Sequence, residues 1–442
     1  MRLRVEDAAG VIGAALVGVD PGAVLDGVTF DSRAVRPGQL FVPIVAARDG
    51  HDFAAGALAA GATATLWART DPPPGPALVL PPEADTVVAL STLARWARDA
   101  WAAGGNGRTV VGITGSVGKT STKDLAWAAL AASVPTWANE RSFNNDQGLP
   151  TTVLEAPDDT RVMVLEMGMR GFGEIERLCG IAVPDIGLVT RVAEAHSDRV
   201  GGIDGVRRAK SELPRALPAT GTAILNADDE RVRSMRGLTR ATTLTFGERD
   251  DADVRIRSLI VDDLARATFV IDSPWGTHDV RLAVSGRHMA SNAAAALACV
   301  GVVGGDVAAG AAALAEVRLT GMRMELSVAA SGAVVLNDAY NANPTSMRAA
   351  IDALVDLPAQ RRFAVLGVMA EIIDAEAEHQ AIVDYAQWKG VEVIAVGTSL
   401  YGVTVSTDPV AELGPLGDGD AVLVKGSRVA ALETVAAALA QR

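Results

Sequence analysis

The segment Gly112-Ile113-Thr114-Gly115-Ser116-Val117-Gly118-Lys119-Thr120-Ser121 carries the residue types that hold a nucleoside triphosphate. Gly115, Ser116 and Gly118 are small enough for successive backbone N–H groups to curl around phosphate oxygens. Lys119 would reach the outer phosphates, and the Thr120 hydroxyl, followed by Ser121, would ligate Mg²⁺. The generic phosphate loop has a glycine five places before Gly118, and Ile113 stands there instead. A bare Gly-Lys-Thr would read as an ordinary turn. Here a β-branched run precedes it and helix-forming sequence follows, which is the context that nucleotide binding requires.

Such a loop needs a strand to deliver it and a helix to continue it. Thr109–Thr114 predicts the strand and Lys119–Ala132 the helix. Further buried-strand candidates are 162–165 and 186–190, with helical sequence between them. That alternation predicts a mostly parallel, doubly wound sheet. Residues 250–284 read as an antiparallel piece, and Ser291–Val303 as an alanine-rich helix. Beyond residue 320, four apolar runs at 334–336, 363–366, 391–396 and 421–424 predict a second, Rossmann-like α/β layer. Before the loop, Thr86–Ala103 reads as helix, and Gly104-Gly105-Asn106-Gly107 as a joint. The expected division is a small N-terminal α/β domain over 1–104, a central loop-bearing domain over 105–319 and a C-terminal domain over 320–442. A length of 442 residues agrees, since domains run to roughly 150 residues each.

Composition narrows the function classes. A net charge of −13 argues against a nucleic-acid or anionic-membrane partner, which would favour a basic surface. No run of about eighteen apolar residues predicts a membrane span, and Met1–Asp7 lacks the apolar core of a signal peptide. Cys179 and Cys299 have no metal-ligand or CxxC spacing and read as semi-buried thiols of a reducing compartment. The expectation is a cytoplasmic protein.

More motifs follow in a fixed order. They are Asn144-Asn145-Asp146-Gln147-Gly148-Leu149-Pro150, Glu166-Met167-Gly168, Ala195-His196, Ala209-Lys210-Ser211-Glu212, and Gly286-Arg287-His288 with Asn292. Together with the phosphate loop they resemble the Mur ligases over nearly the whole chain. Asp338-Ala339-Tyr340-Asn341-Ala342-Asn343-Pro344-x-Ser346 and Lys425-Gly426-Ser427-Arg428 resemble the branch that adds D-alanyl-D-alanine to UDP-N-acetylmuramoyl-tripeptide. Phe30-Asp31-Ser32-Arg33 and Asp49-Gly50-His51-x-Phe53 are similar to that branch's UDP-binding domain. The resemblance departs at Met289, at Val368 and at Ser197-Asp198.

This resemblance implies an ATP-dependent peptide ligase of cell-wall synthesis that works through an acyl phosphate as a monomer. Lys119, Glu166, His196 and Lys210 would be catalytic. Thr120 and Glu166 would hold one Mg²⁺. His196 and a carbamylated Lys210 would hold another, because an unmodified ammonium repels the ion. Asn292 would meet the adenine, Asp338 the ribose and Arg323 the γ-phosphate. Ser32, Arg33, Asn144, Asn145, Tyr340, Asn341, Lys425, Ser427 and Arg428 would contact the UDP-peptide and dipeptide. A related amide ligase with another amine or another UDP/carboxylate substrate is the alternative.

Overall fold

The computed structural model describes residues 1–105, 107–139, 143–194 and 197–442. Contacts divide the chain into two compact units. One comprises Met1–Gly112, Val134–Met169 and Gly173–Ile186; the other comprises Ile113–Ser133, Arg170–Phe172 and Gly187–Arg442.

In the first unit, five short strands form a sheet in the order Ala15–Val17, Ala77–Val79, Ala64–Trp67, Leu40–Phe41, Val28–Thr29. Only its Ala15–Val17 edge runs antiparallel. The helix Thr86–Ala103 has the bounds expected from its pattern. Asp85 starts it by accepting from the Val87 and Val88 amides, and Leu90, Leu93, Ala94, Ala97 and Trp101 bury one face. Arg98 lies on the same face and donates to the carbonyls of Ala182 and Val183. It thereby satisfies the open end of the helix Glu174–Ala182. The strand Val162–Glu166 pairs in parallel with Thr136–Ala138. All five of its residues are buried, so it carries Glu166 out of a fully apolar run.

The second unit contains the phosphate loop and most of the remaining chain. Its strands run in the order Gly276–Ser285, Arg266–Ser273, Val254–Val261, Thr242–Gly247, Thr222–Asn226. The antiparallel expectation for 250–284 holds for the first three, whereas Thr222–Asn226, Thr242–Gly247 and Val254–Val261 pair in parallel. The helix Met289–Val303 is buried on nearly every side and packs on these strands and on the helix Lys119–Ala131. Its alanines allow that close approach.

The C-terminal sheet of this unit has the order Glu325–Val328, Val334–Asp338, Asp420–Lys425, Arg361–Leu366, Glu392–Val396, Val405–Ser406. The four apolar runs are its four central strands. The two edges, one antiparallel, have no strong sequence pattern and went unanticipated. Register places Asp338 and Leu366 on either side of Lys425, so three strands end level at their carboxyl edge. Ligands of open α/β sheets bind at such an edge.

The α/β class with mostly parallel sheets is therefore as expected. The cysteines are more enclosed than expected: both are buried, and burial pushes the Cys299 thiol up to about 12. At that value the thiol stays protonated and inert.

Candidate active site

The phosphate loop owes its shape to the segment that follows the strand Ile186–Val189. Thr190 Oγ1 donates to the Val117 carbonyl at 2.6 Å, and Ser116 N–H donates to the Arg191 carbonyl at 2.7 Å. Ser116 Oγ donates to the Ala193 carbonyl and accepts from the Ala193 amide. Asn226 Nδ2 then holds the Thr190 carbonyl, and Asp229 Oδ2 the Val192 amide. Gly115 has φ +152°, and a Cβ there would lie 1.9 Å from Thr190 Oγ1. Gly118 has φ +81°, and a Cβ there would lie 2.7 Å from Asn292 Oδ1. Both glycines are thus required by close approach as well as by backbone conformation.

Lys119 Nζ donates to the Gly115 carbonyl at 2.7 Å, folding its ammonium back over the loop. Thr120 and Ser121 are buried in the first turn of the helix. Asn292 is buried against Gly118, and its Nδ2 donates to Met289 Sδ at 3.4 Å. Met289 therefore acts as a core side chain that also orients Asn292. Thr190, Asn226 and Asp229 escaped sequence reading because isolated strand-end polar residues carry no spacing signal.

In the first unit, Glu166 is buried at the end of its strand. Asn144 Nδ2 donates to Glu166 Oε1 at 2.7 Å, and Glu166 N–H donates to Asn139 Oδ1 at 2.7 Å. The Gly168 amide donates to the Asn144 carbonyl, closing the turn after the strand. Asn144 is thus a partner of the acid. Asn145 Oδ1 accepts from the Gln147 and Gly148 amides, just ahead of the helix Gly148–Leu154.

The N-terminal motif residues are held by local ion pairs. Asp31 accepts from the Arg33 guanidinium at 2.8 Å through both oxygens, which holds the Asp31 carboxyl down to about 2. Ser32 lies half-buried between them. Asp49 accepts from the His51 amide and ring and from Arg69.

Lys210, the last residue of the helix Ile203–Lys210, is only 1% exposed. A buried lysine is the uncommon case, since the long stem usually carries its charge to water. His196 lies outside the described residues.

At the carboxyl edge of the C-terminal sheet, Lys425 Nζ donates to Asp338 Oδ2 at 2.5 Å and to the Asn341 carbonyl at 2.8 Å. Asp338 Oδ1 accepts from the Met324 amide at 3.1 Å. Next to it, the Arg323 guanidinium carbon stacks 4.0 Å from the Tyr340 ring centroid. Arg323 Nε is buried without a hydrogen-bond partner among the described residues. An unpartnered guanidinium N–H is a standing donor for an anion.

Residues 113–300 match the model of the Mur ligase middle domain, and residues 322–441 that of the Mur ligase, glutamate ligase domain. A UDP-N-acetylmuramoyl-tripeptide--D-alanyl-D-alanine ligase of Mycobacterium tuberculosis is 38% identical, over 99% of this chain and 98% of its own. The protein of the same name from Escherichia coli is 34% identical, over 94% of each chain. The chain is a Mur ligase. A crystal structure of MurF from Acinetobacter baumannii superposes with a TM-score of 0.88 at 27% identity, over 100% of this chain and 99% of that one. MurF from Thermotoga maritima in complex with ADP superposes at 0.79 with 26% identity, over 92% and 96%. As a Mur ligase the protein is an ATP-dependent ligase.

Two motifs of this ligase turn out to have a structural component. Asn343 and Ser346 form a reciprocal cap on the helix Pro344–Asp356, with Pro344 at its first position. Ser427 Oγ accepts from the Ala370 amide at 2.9 Å, and Ser427 N–H donates to the Val368 carbonyl at 2.9 Å. Val368 makes this contact through its backbone, so its departure from the family's usual residue leaves it intact. Arg428 is exposed and pairs with Glu433 at 2.8 Å.

Proposed function

We propose that this ligase joins D-alanyl-D-alanine to UDP-N-acetylmuramoyl-tripeptide, with cleavage of ATP to ADP and phosphate. The observation that carries the reading is the end-to-end relation to proteins of that name, at 38% and 34% identity. The motif residues retained in the loop, at Glu166, at Lys210 and in Lys425–Arg428 support it. The peptide carboxylate attacks the γ-phosphorus, and ADP leaves with the electrons of the broken P–O bond. The resulting acyl phosphate is attacked by the dipeptide amine, and phosphate departs from the acyl carbon as the amine loses a proton.

The residues fit an ATP·Mg²⁺ complex. The loop's shape depends on Gly115 and Gly118, whose added Cβ atoms would collide with Thr190 and Asn292, and such a glycine-bearing loop at a helix start suits phosphate oxygens, as does the buried Arg323 Nε, which has no hydrogen-bond partner among the described residues. Thr120 and Glu166 supply hard oxygen donors of the kind Mg²⁺ prefers. A Mg²⁺ held by these two residues would supply positive charge to offset the negative charge developing on the transferred phosphoryl group. Lys119 and the loop amides hold the phosphates, and Asn144 orients the Glu166 carboxylate. Asn292 and Asp338 serve the nucleoside, Arg323 the γ-phosphate. Carbamylated Lys210, with His196, would hold a second Mg²⁺. Ser32, Arg33, Asn145, Tyr340, Asn341, Lys425, Ser427 and Arg428 serve the UDP-peptide and dipeptide. A three-part division at 1–104, 105–319 and 320–442, with a monomer in the cytoplasm supplying peptidoglycan precursors for cell shape and division, belongs to this reading. No helix among the described residues is long and apolar enough to cross a membrane.

The test is phosphate release from Mg·ATP and UDP-N-acetylmuramoyl-tripeptide, with and without D-alanyl-D-alanine, with product mass determined. Dipeptide-dependent release and a UDP-pentapeptide mass are expected. Release indifferent to the dipeptide, or no release, would move the assignment to a related ligase with another amine.

A further inference from the structure

His379 and Tyr401 are both nearly inaccessible, at 0% and 2% exposure, and neither belongs to a motif discussed so far. His379 lies on the helix Ala375–Trp388. Its Nε2 is 2.8 Å from the Met369 amide nitrogen, and its Nδ1 is 2.5 Å from the Ala375 carbonyl oxygen. An amide N–H can only donate and a carbonyl can only accept. Nε2 must therefore be bare and Nδ1 must carry the proton, which fixes one neutral tautomer. The Tyr401 ring packs edge-on against the imidazole with centroids 4.7 Å apart, and its hydroxyl donates to the Gly367 carbonyl at 2.8 Å.

Both side chains thus bond to the backbone of Gly367–Ala370, the turn of chain that follows the strand Arg361–Leu366. The same backbone bonds to the segment ahead of Arg428. Gly367 N–H donates to the Lys425 carbonyl, Ser427 N–H to the Val368 carbonyl, and Ala370 N–H to Ser427 Oγ, each at 2.9 Å. The two backbones touch: a Cβ on Gly426 would lie 3.1 Å from the Gly367 Cα. Displacing Met369 or Gly367 would displace Ser427, and Arg428 with it.

We propose that His379 and Tyr401 are positioning residues for dipeptide binding, aligning Ser427 and Arg428 through the Gly367–Ala370 turn. This rests on the reading that Ser427 and Arg428 meet the dipeptide. The unpartnered Met369 amide left by His379→Leu frees the turn, whereas a glutamine at 379 can still accept from that amide. Nucleotide contacts from the phosphate loop are built on other elements and are left in place.

The experiment is steady-state kinetics of the full-length enzyme with each substrate varied, for His379→Leu, His379→Gln, Tyr401→Phe and Arg428→Ala, alongside each variant's melting temperature. His379→Leu should raise the dipeptide KM about tenfold, the scale of a buried donor losing its acceptor, with the ATP KM within about twofold. His379→Gln should recover most of that loss, and Tyr401→Phe should raise the same KM by a few-fold. A purely structural role would lower the melting temperature without separating the two KM values, and that result overturns the proposal. If His379→Leu does not fold, Tyr401→Phe and His379→Gln decide by the same criterion. Arg428→Ala separates the two failures. An unchanged dipeptide KM in that variant removes the dipeptide-site reading itself. A raised KM there, with unchanged values for the His379 and Tyr401 variants, removes only the positioning role.

Discussion

Lys425 and Asp338 stand opposite each other on adjacent parallel strands, and their side chains meet at 2.5 Å. The ammonium is 2% exposed and also donates to the Asn341 carbonyl. A buried cation so committed shapes the Asp338–Asn341 turn, and through that turn it serves the nucleoside and the dipeptide together. Removing one member of a buried pair leaves the other charge uncompensated, at a cost of about 3–5 kcal/mol. Lys425→Met should therefore destabilise the protein by about that amount in denaturant titration, and raise the KM for both ATP and dipeptide. A loss of dipeptide affinity alone, at unchanged stability, would mean that the ammonium serves the dipeptide directly.

Gly115→Ala tests the loop cradle. The added Cβ meets Thr190 Oγ1 at 1.9 Å in a backbone conformation that L side chains rarely adopt. Strain of about 1–3 kcal/mol is expected, with a loss of nucleotide binding measurable by titration calorimetry with ADP. Wild-type ADP affinity in this variant would show that the loop does not close on phosphate through Gly115.

Asn144→Ala removes the amide that holds Glu166 Oε1. Partners that orient a metal ligand are typically worth about 10–100-fold. We expect turnover to fall in that range and the Mg²⁺ concentration for half-maximal activity to rise. An unchanged Mg²⁺ dependence would separate Glu166 from the metal.

Lys210 is buried at a helix end, where an ammonium would carry a desolvation penalty. If it acts as a carbamate, Lys210→Ala should be nearly inactive and partly restored by a short carboxylic acid, which returns an anionic oxygen donor. Full activity without the additive would rule the carbamate out. Intact-mass measurement under mild conditions gives an independent check.

The N-terminal sheet should show an acid-sensitive contribution at Asp49. Burial acts to raise this carboxyl, but the His51 amide, the Arg69 guanidinium and the His51 ring outweigh it and bring it to about 2. A carboxylate depressed in the folded state stabilises above its unfolded value, and the stability is lost as pH falls through the folded value. Stability should thus decline between about pH 4, the unfolded value, and about 2. Asp49→Asn should be less stable at neutral pH and flatter across that window, as followed by urea midpoints.

The structural signals in the sequence are local. The strand Thr109–Thr114 and the helix Thr86–Ala103 came out with the expected bounds, because apolar periodicity, Asp85 and Gly104 are contiguous signals. The phosphate loop was legible for the same reason: its glycines, lysine and hydroxyls occupy one short stretch of chain. The edge strands Glu325–Val328 and Val405–Ser406 were not, since a short half-exposed strand is defined by its neighbour's hydrogen bonds.

By itself the sequence determined the α/β class, the nucleotide loop and the candidate residues within contiguous motifs. Tertiary structure alone decided how those residues are supported. Thr190 reaches Val117 of the loop across 73 positions, Asn226 holds Thr190 across 36, and Lys425 finds Asp338 across 87. His379 reaches the Met369 amide, and through that turn Ser427. Such partners are selected by strand order and register, which bring distant residues to one sheet edge. A single polar side chain gives no periodic signal of that pairing, so it becomes visible only once the strands are side by side.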